Sequence, residues 1–184
     1  LPSNRTVKRG GWLERHEPSG LVYAAKGYKT SDFYRYDPVA DTWTELTGMP
    51  YQAHPRWARR PPEKGSKGVS DGEDLIYATQ GNNSLGYWRY DIAVDSWSIL
   101  ADVPEGPSGK KVKGGTDLVY VVTDGTPYVY CLKGYRTEFY RYNTVAETWE
   151  TLPDAPTGIR NKWDKGSFLV YDGGSSIFAH KAKY

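Results

Sequence analysis

The sequence predicts an all-β fold: a β-propeller with four-stranded antiparallel blades, three of them complete and a fourth half complete. Three observations carry this. The 184 residues include 16 Tyr and 7 Trp against 4 Phe, 1 Met and 1 Cys, with 20 Gly and 12 Pro. Flat aromatic rings pack well on a pleated surface, and Gly and Pro punctuate short strands. Second, one phrase occurs three times: FYRYDPVADTWTEL from Phe33, YWRYDIAVDSWSIL from Tyr87 and FYRYNTVAETWETL from Phe139, placing Trp43, Trp97 and Trp149 54 and 52 residues apart. Third, each copy follows two other recurring phrases. One is LVYAAKG, LIYATQG or YVYCLKG, repeated once more as SIFAHKA; the other is led by glycine, as in KGSFLVYDGG. Four short strands per period of about 52 residues are the signature of a propeller blade.

The elements follow in chain order. The glycine-led phrase is the first strand, a β-branched and aromatic run closed by a Gly or Asp-Gly turn. LVYAAK is the second. FYRYD, the third, alternates Phe33 and Arg35 with Tyr34 and Tyr36, as a half-buried strand does. DPVAD then turns the chain into TWTEL, the fourth. The blades fall at about 8–47, 62–101 and 111–152, with a half blade over 165–184. The opening LPSNRTVKRGG reads as the linker between blades and not as a strand. Two outer strands are therefore missing, and the expectation is that a longer chain or another subunit supplies them, because native sheets avoid open edges.

The phrase YDPVADTWTELTGMP, the glycine-led inner strand and the period near 50 resemble the kelch repeat family, across nearly the whole chain. The wider relatives of that family include galactose-oxidase-like propellers. One departure is visible: kelch blades carry a glycine doublet after the second strand, whereas single glycines, Gly27, Gly81 and Gly134, stand here. The wider resemblance raises copper radical oxidation, which needs a cysteine-crosslinked tyrosine and two histidine ligands. The lone Cys131 falls in a second strand, and His16, His54 and His180 fall in a first strand, an inter-blade loop and a second strand. No pair has metal-ligand spacing. The expectation is a chain that is not an enzyme and carries no cofactor.

Blade topology sorts the charges. Loops after the second and fourth strands share one face of the disc and receive Lys29, Arg56, Arg59, Arg60, Lys64, Lys110, Lys111, Lys113, Arg136, Arg160, Lys162 and Lys165. Lys26, Lys133 and Lys181 add to them from strand ends, whereas the opposite face collects Glu17, Asp71, Asp74, Asp124 and Asp172. A chain of net charge +2 thus becomes a disc with a basic and an acidic face. Trp57 stands among Arg56, Arg59 and Arg60, and Trp163 between Lys162 and Lys165 in a comparable loop. Such a tryptophan either stacks on a sugar or seals the joint between blades. The candidate ligand-binding set is Trp57, Arg56, Arg59, Arg60, Lys113, Arg136, Arg160, Trp163 and Lys29.

Other recurrent residues read as structural. Arg35, Arg89 and Arg141 each precede an acid (Asp41, Asp95 or Glu147) by six residues, which predicts ion pairs across the hairpin. Trp43, Trp97 and Trp149 recur with Tyr23, Tyr77, Tyr130 and Phe178 as expected core. The second blade has Lys67 and Gly68 where the fourth has Phe168 and Leu169, and this predicts the least stable blade.

The leading functional expectation is a non-catalytic binding module that holds a protein or an anionic glycan on its basic, Trp-bearing face. The alternatives are a structural segment of a large surface protein or filament and a piece of a galactose-oxidase-like enzyme. The small net charge gives no argument for specific nucleic-acid binding, and no apolar run is long enough to span a membrane. Sequons at Asn4 and Asn82 lead to an expectation of an extracellular or cell-surface location.

Overall fold

The computed structural model describes residues 4–182. Leu1–Ser3 of the linker-like start and the last two residues of the expected half blade, 183–184, lie outside it. Among the described residues fourteen strands form four antiparallel sheets. β1 (Trp12–Arg15), β2 (Val22–Ala25), β3 (Phe33–Asp37) and β4 (Thr42–Leu46) make the first blade in simple order. β5 (Lys67–Ser70), β6 (Leu75–Thr79), β7 (Tyr87–Asp91) and β8 (Ser96–Ile99) make the second. β9 (Asp117–Thr123), β10 (Thr126–Leu132), β11 (Phe139–Asn143) and β12 (Thr148–Thr151) make the third. β13 (Phe168–Tyr171) and β14 (Ile177–His180) form a two-stranded sheet, the half blade. The innermost strands β1, β5, β9 and β13 lie side by side. This is the propeller arrangement the repeats predicted.

Turn chemistry explains the outer hairpins. Asp37 Oδ1 accepts the amides of Val39 and Ala40, and Asp91 and Asn143 do the same one and two blades later. The loop then needs one left-handed residue, supplied by Asp41, Asp95 and Glu147 at φ 50–54°. The single glycines after the second strands are also required by geometry. Gly81 has φ 68°, and a Cβ there would lie 2.3 Å from the Ser66 amide nitrogen. Gly27 and Gly134 are held the same way.

The joints between blades follow one rule. In the first two blades the first aromatic of the third strand packs on a Tyr–Trp pair of the next blade. Phe33 meets Tyr90 and Trp97 at 4.8 and 5.1 Å between ring centroids, and Tyr87 meets Tyr142 and Trp149 at 5.1 and 4.8 Å. The indoles of Trp97 and Trp149 also donate back to the carbonyls of Thr47 and Ala101. These tryptophans are thus joint residues, and the expectation that all three are core fails for Trp43. With no described blade before it, Trp43 is 59% exposed. Phe178 is 62% exposed for the mirror reason, since no described blade follows the half blade. Tyr23 and Tyr77 are buried as expected, and Tyr130 is half-buried.

The arginine pairs also differ from expectation. The Tyr36 and Tyr90 hydroxyls donate to Asp41 and Asp95, both at 2.6 Å, so these acids turn onto the tyrosine face of the third strand. The arginine, one residue earlier, points to the other face. Arg89 therefore crosses to Glu147 of the next blade at 2.9 Å. Arg141 pairs with Glu150, directly opposite it on β12, at 2.7 Å.

The second blade is not short of apolar burial. The indole of Trp12 lies on Gly68, where an added Cβ would come within 2.4 Å of the ring, and its N–H reaches Ser66 Oγ at 3.2 Å. Ile76, Ala78, Trp88 and Tyr90 complete a core shared with the first blade. The neighbour fills the space that the sequence of β5 leaves empty. Gly68→Val is expected to lower the unfolding free energy by about 1–3 kcal/mol through this overlap, read from a denaturant midpoint. An unchanged midpoint would contradict the seat.

Candidate functional site

The loops that join blades are held by a repeated device. In three of the four sheets the residue just after the second strand reaches back to carbonyls of the preceding inter-blade loop. Gln80 donates to Trp57 and Arg60, Lys133 to Glu105, and Lys181 to Thr157 and Arg160. Lys26 and Lys133 are moreover buried, each 3.2 Å from an acid, Asp32 and Glu138. Lys26, Lys133 and Lys181 are therefore structural, and the charges of Lys26 and Lys133 are matched by these acids.

Trp57 and Trp163 take the joint-sealing alternative. Both are buried, at 9% and 4% exposure. The Trp57 indole N–H donates to Asp102 at 3.0 Å, and Arg56 and Lys111 lie over its ring. Trp163 donates to the Pro156 carbonyl and carries Lys181 over its ring. Neither ring is open to stack on a sugar. Arg56 is committed to Asp102 at 3.1 Å. His54, which follows a short 3-10 turn (Tyr51–Ala53), completes this knot. Its Nδ1 accepts the amides of Arg56 and Trp57, leaving Nε2 3.1 Å from Asp102 Oδ1. Burial lowers the His54 pKa in spite of the Asp102 charge. Arg59, Arg60, Arg160 and Lys29 are exposed and spread over separate loops.

Cations converge elsewhere. Lys64, Lys113, Lys162 and Lys165 line one hollow of about 320 Å³ with Tyr135, Asn82 and Asn83. Lys162, Lys113 and Arg136 lie 4.2, 4.6 and 5.6 Å from the centroid of the Tyr135 ring. Two acids enter the hollow, and both are engaged: Glu63 with Arg9 at 3.4 Å, and Asp164 with Lys162 at 3.5 Å. A second hollow of about 380 Å³ shares Lys64 and Lys165, adds Arg9, and has a floor of glycine backbone from Gly10, Gly65, Gly115 and Gly166. The two together form the basic mouth where the inner strands begin. At the opposite end, a hollow of about 740 Å³ between the inner strands is edged by Glu17 and Asp71.

Of the nine candidates, Lys113 lines this mouth and Arg136 borders it. Lys64, Lys162 and Lys165 are basic-face charges in the sequence but stand outside the candidate set. Tyr135 was missed altogether. Its signal is a repeated Gly-Tyr after the second strand, since Tyr28 likewise has Lys8 and Arg9 over its ring. The Asn82 sequon is structurally occupied: its side-chain amide donates to the Pro61 carbonyl at 2.8 Å, and Ser84 is fully buried. Among the described residues, no three His, Cys, Asp or Glu side chains are grouped so as to hold a metal ion. Among the same residues no helix is long and apolar enough to cross a membrane.

No family model matches the chain. It is similar to the Kelch-like protein terF of Aspergillus terreus, with 28% identity over 177 residues. The match covers 88% of this chain and 36% of that protein, so the chain spans about a third of the relative's length. Taken with the repeated four-stranded sheets, this similarity supports a kelch-repeat β-propeller, and nothing in it is specific to galactose-oxidase-like propellers.

Proposed function

We propose that the chain is a non-catalytic kelch-type interaction module whose basic mouth holds an anionic partner, an acidic protein segment or an anionic glycan. One observation carries the reading: Lys64, Lys113 and Lys165 line a single hollow whose two acids, Glu63 and Asp164, are paired with Arg9 and Lys162. Like charges held around a concavity focus positive potential and draw in a multiply charged anion. The Tyr135 ring and the amides of Asn82 and Asn83 add a flat surface and polar groups for orientation.

Binding of a sulfated polysaccharide and of a poly-glutamate peptide, titrated at several salt concentrations, tests this. Lys113→Glu with Lys165→Glu is expected to weaken the better of the two at least tenfold and to flatten its salt dependence. Arg59→Ala with Arg60→Ala, outside the hollow, is expected to change it by less than about threefold. Equal losses from both pairs would replace the site with diffuse surface charge. No binding by the unaltered protein would remove the proposal.

A further inference from the structure

The basic mouth departs from the repeat at one point, and the departure makes a seat for a lysine. In the last three sheets the turn that opens the inner strand closes in one way. The amides of Ser66, Thr116 and Ser167 donate to the carbonyls of Glu63, Lys113 and Asp164. Within each turn stands a left-handed glycine, Gly65, Gly115 or Gly166, at φ 87–95°. This register sets Gly114 level with Lys64 and Lys165, and Lys113 level with Glu63 and Asp164. The third blade therefore carries glycine where its neighbours carry a cation, and a cation where they carry an acid.

The backbone conformation does not require the glycine at 114, since its φ lies outside the left-handed region. What occupies the place of its side chain is Lys165. A Cβ at 114 would come within 2.5 Å of Lys165 Cγ, and its next two neighbours, at 3.5 and 3.6 Å, are also Lys165 atoms. The stem of Lys165 thus lies across bare backbone. Lys113 lies 4.6 Å from the centroid of the Tyr135 ring. Around the mouth Arg9, Lys67 and Lys162 are paired with Glu63, Asp117 and Asp164. Among the described residues no ion pair engages Lys64, Lys113 or Lys165.

Lys64 and Lys165 border both hollows, of about 320 and 380 Å³. Every residue around the first falls between Glu63 and Lys165, in adjacent sheets of this chain. Two small concavities that share two lysines suit anionic groups bonded directly to one another, and not charges spaced along a polymer. Lysine serves phosphate as a point charge, and glycine backbone lets a phosphoryl group approach closely.

We infer that the two hollows form one site for a compact oligophosphate, a small molecule with two or three adjacent phosphoryl groups, free or esterified. The inference rests on the basic mouth being an anion site and narrows its ligand. One phosphoryl group lies among Lys64, Lys113 and Lys165 beside Tyr135. The next lies over the glycine floor, on the other side of Lys64 and Lys165. Gly114 is a positioning residue, since its missing side chain sets the course of Lys165.

Inorganic triphosphate and adenosine triphosphate, titrated calorimetrically into the 184-residue protein without divalent cations, test this. One-to-one binding of at least one of them is expected. Tighter binding of the inorganic form assigns the site to the free phosphate chain, and tighter binding of the adenosine form to an ester; both support the inference. Gly114→Ala keeps every charge and is expected to weaken the tighter ligand at least fivefold by displacing Lys165. It is expected to leave poly-glutamate within about twofold, because a long flexible chain reads net charge. Lys165→Gln against Arg59→Gln, at equal net charge, repeats the comparison if Gly114→Ala folds poorly: a loss of at least tenfold against less than about twofold. The inference is overturned by unchanged binding in Gly114→Ala that folds normally, by equal losses in the two glutamine variants, or by no triphosphate binding at millimolar concentration. If poly-glutamate or the sulfated polysaccharide still binds in that last case, the wider anion-binding reading stands and only the oligophosphate is removed.

Discussion

Lys133→Ala is expected to destabilise the protein by about 3–5 kcal/mol, measured by urea unfolding at pH 7. Lys133 is fully buried, with its ammonium 3.2 Å from Glu138 Oε1. It also donates to the Glu105 carbonyl and lies 5.6 Å from the centroid of the Tyr140 ring. Glu138 is 3% exposed and takes a further hydrogen bond from the Ser108 hydroxyl. Burial works to raise this carboxyl, yet the Ser108 hydroxyl and the Lys133 charge hold it below its ordinary pKa. Alanine leaves that carboxylate buried without a counter-ion and releases the loop that Lys133 pins. The cost of stranding a charge exceeds the net value of the pair, so Lys133→Met with Glu138→Gln is expected to lose less than Lys133→Ala alone. If the double variant lost more, the pair itself would be the dominant stabilising contact.

The position of Lys133 shows what the sequence makes legible. The fold can be read because three phrases recur in order, and recurrence fixes a residue's place within a blade. It does not fix burial, which depends on what stands beside the blade. Trp43 and Trp97 are the same residue of the repeat, but Trp97 closes on Phe33 whereas Trp43 has no described blade to close on. Recurrence is equally silent about whether a lysine is free. Gln80, Lys133 and Lys181 share one structural task, and the glutamine in the second blade was the visible hint that charge is not what the position requires.

The site was legible as a face and not as a set of residues. Loop topology alone places Lys64, Lys113, Lys162 and Lys165 on one side of the disc. Their convergence on Tyr135 depends on how far apart adjacent inter-blade loops stand, which no single-chain pattern encodes. Trp57 and Trp163 drew attention because an aromatic among arginines suits both a ligand and a joint. The partners that decide between these, Asp102 and the Pro156 carbonyl, lie 45 and 7 residues away in the chain.

Glu14→Gln is expected to stabilise the protein by about 3 kcal/mol at pH 8 while leaving it nearly unchanged at pH 4. Glu14 lies on the innermost strand β1, and its Oε1 accepts the Ser70 amide at 2.8 Å, joining the inner strands of adjacent blades. Asp117 does the same for the Leu169 amide two joints later, with Lys67 beside it at 3.2 Å. Burial raises the Glu14 pKa from 4.5 to about 7, against the Ser70 hydrogen bond and the Lys67 charge, while Asp117 adds to the rise. The folded protein therefore keeps a proton that the unfolded chain releases above pH 4.5. Stability contributed by this group is complete below that pH and is lost as pH rises towards 7. Glutamine keeps an acceptor for Ser70 and has no proton to lose. His54 pulls the other way, since its lowered pKa removes stability as pH falls through 6.5. That contribution is common to both proteins and cancels in their difference. Chemical unfolding of each at half-unit steps from pH 4 to 8 should give a difference that grows between pH 4.5 and 7 and then levels. A difference that stays flat across this range would mean Glu14 ionises in the folded protein as it does in the unfolded chain, and that the carboxylate bridges neighbouring blades as a charged group.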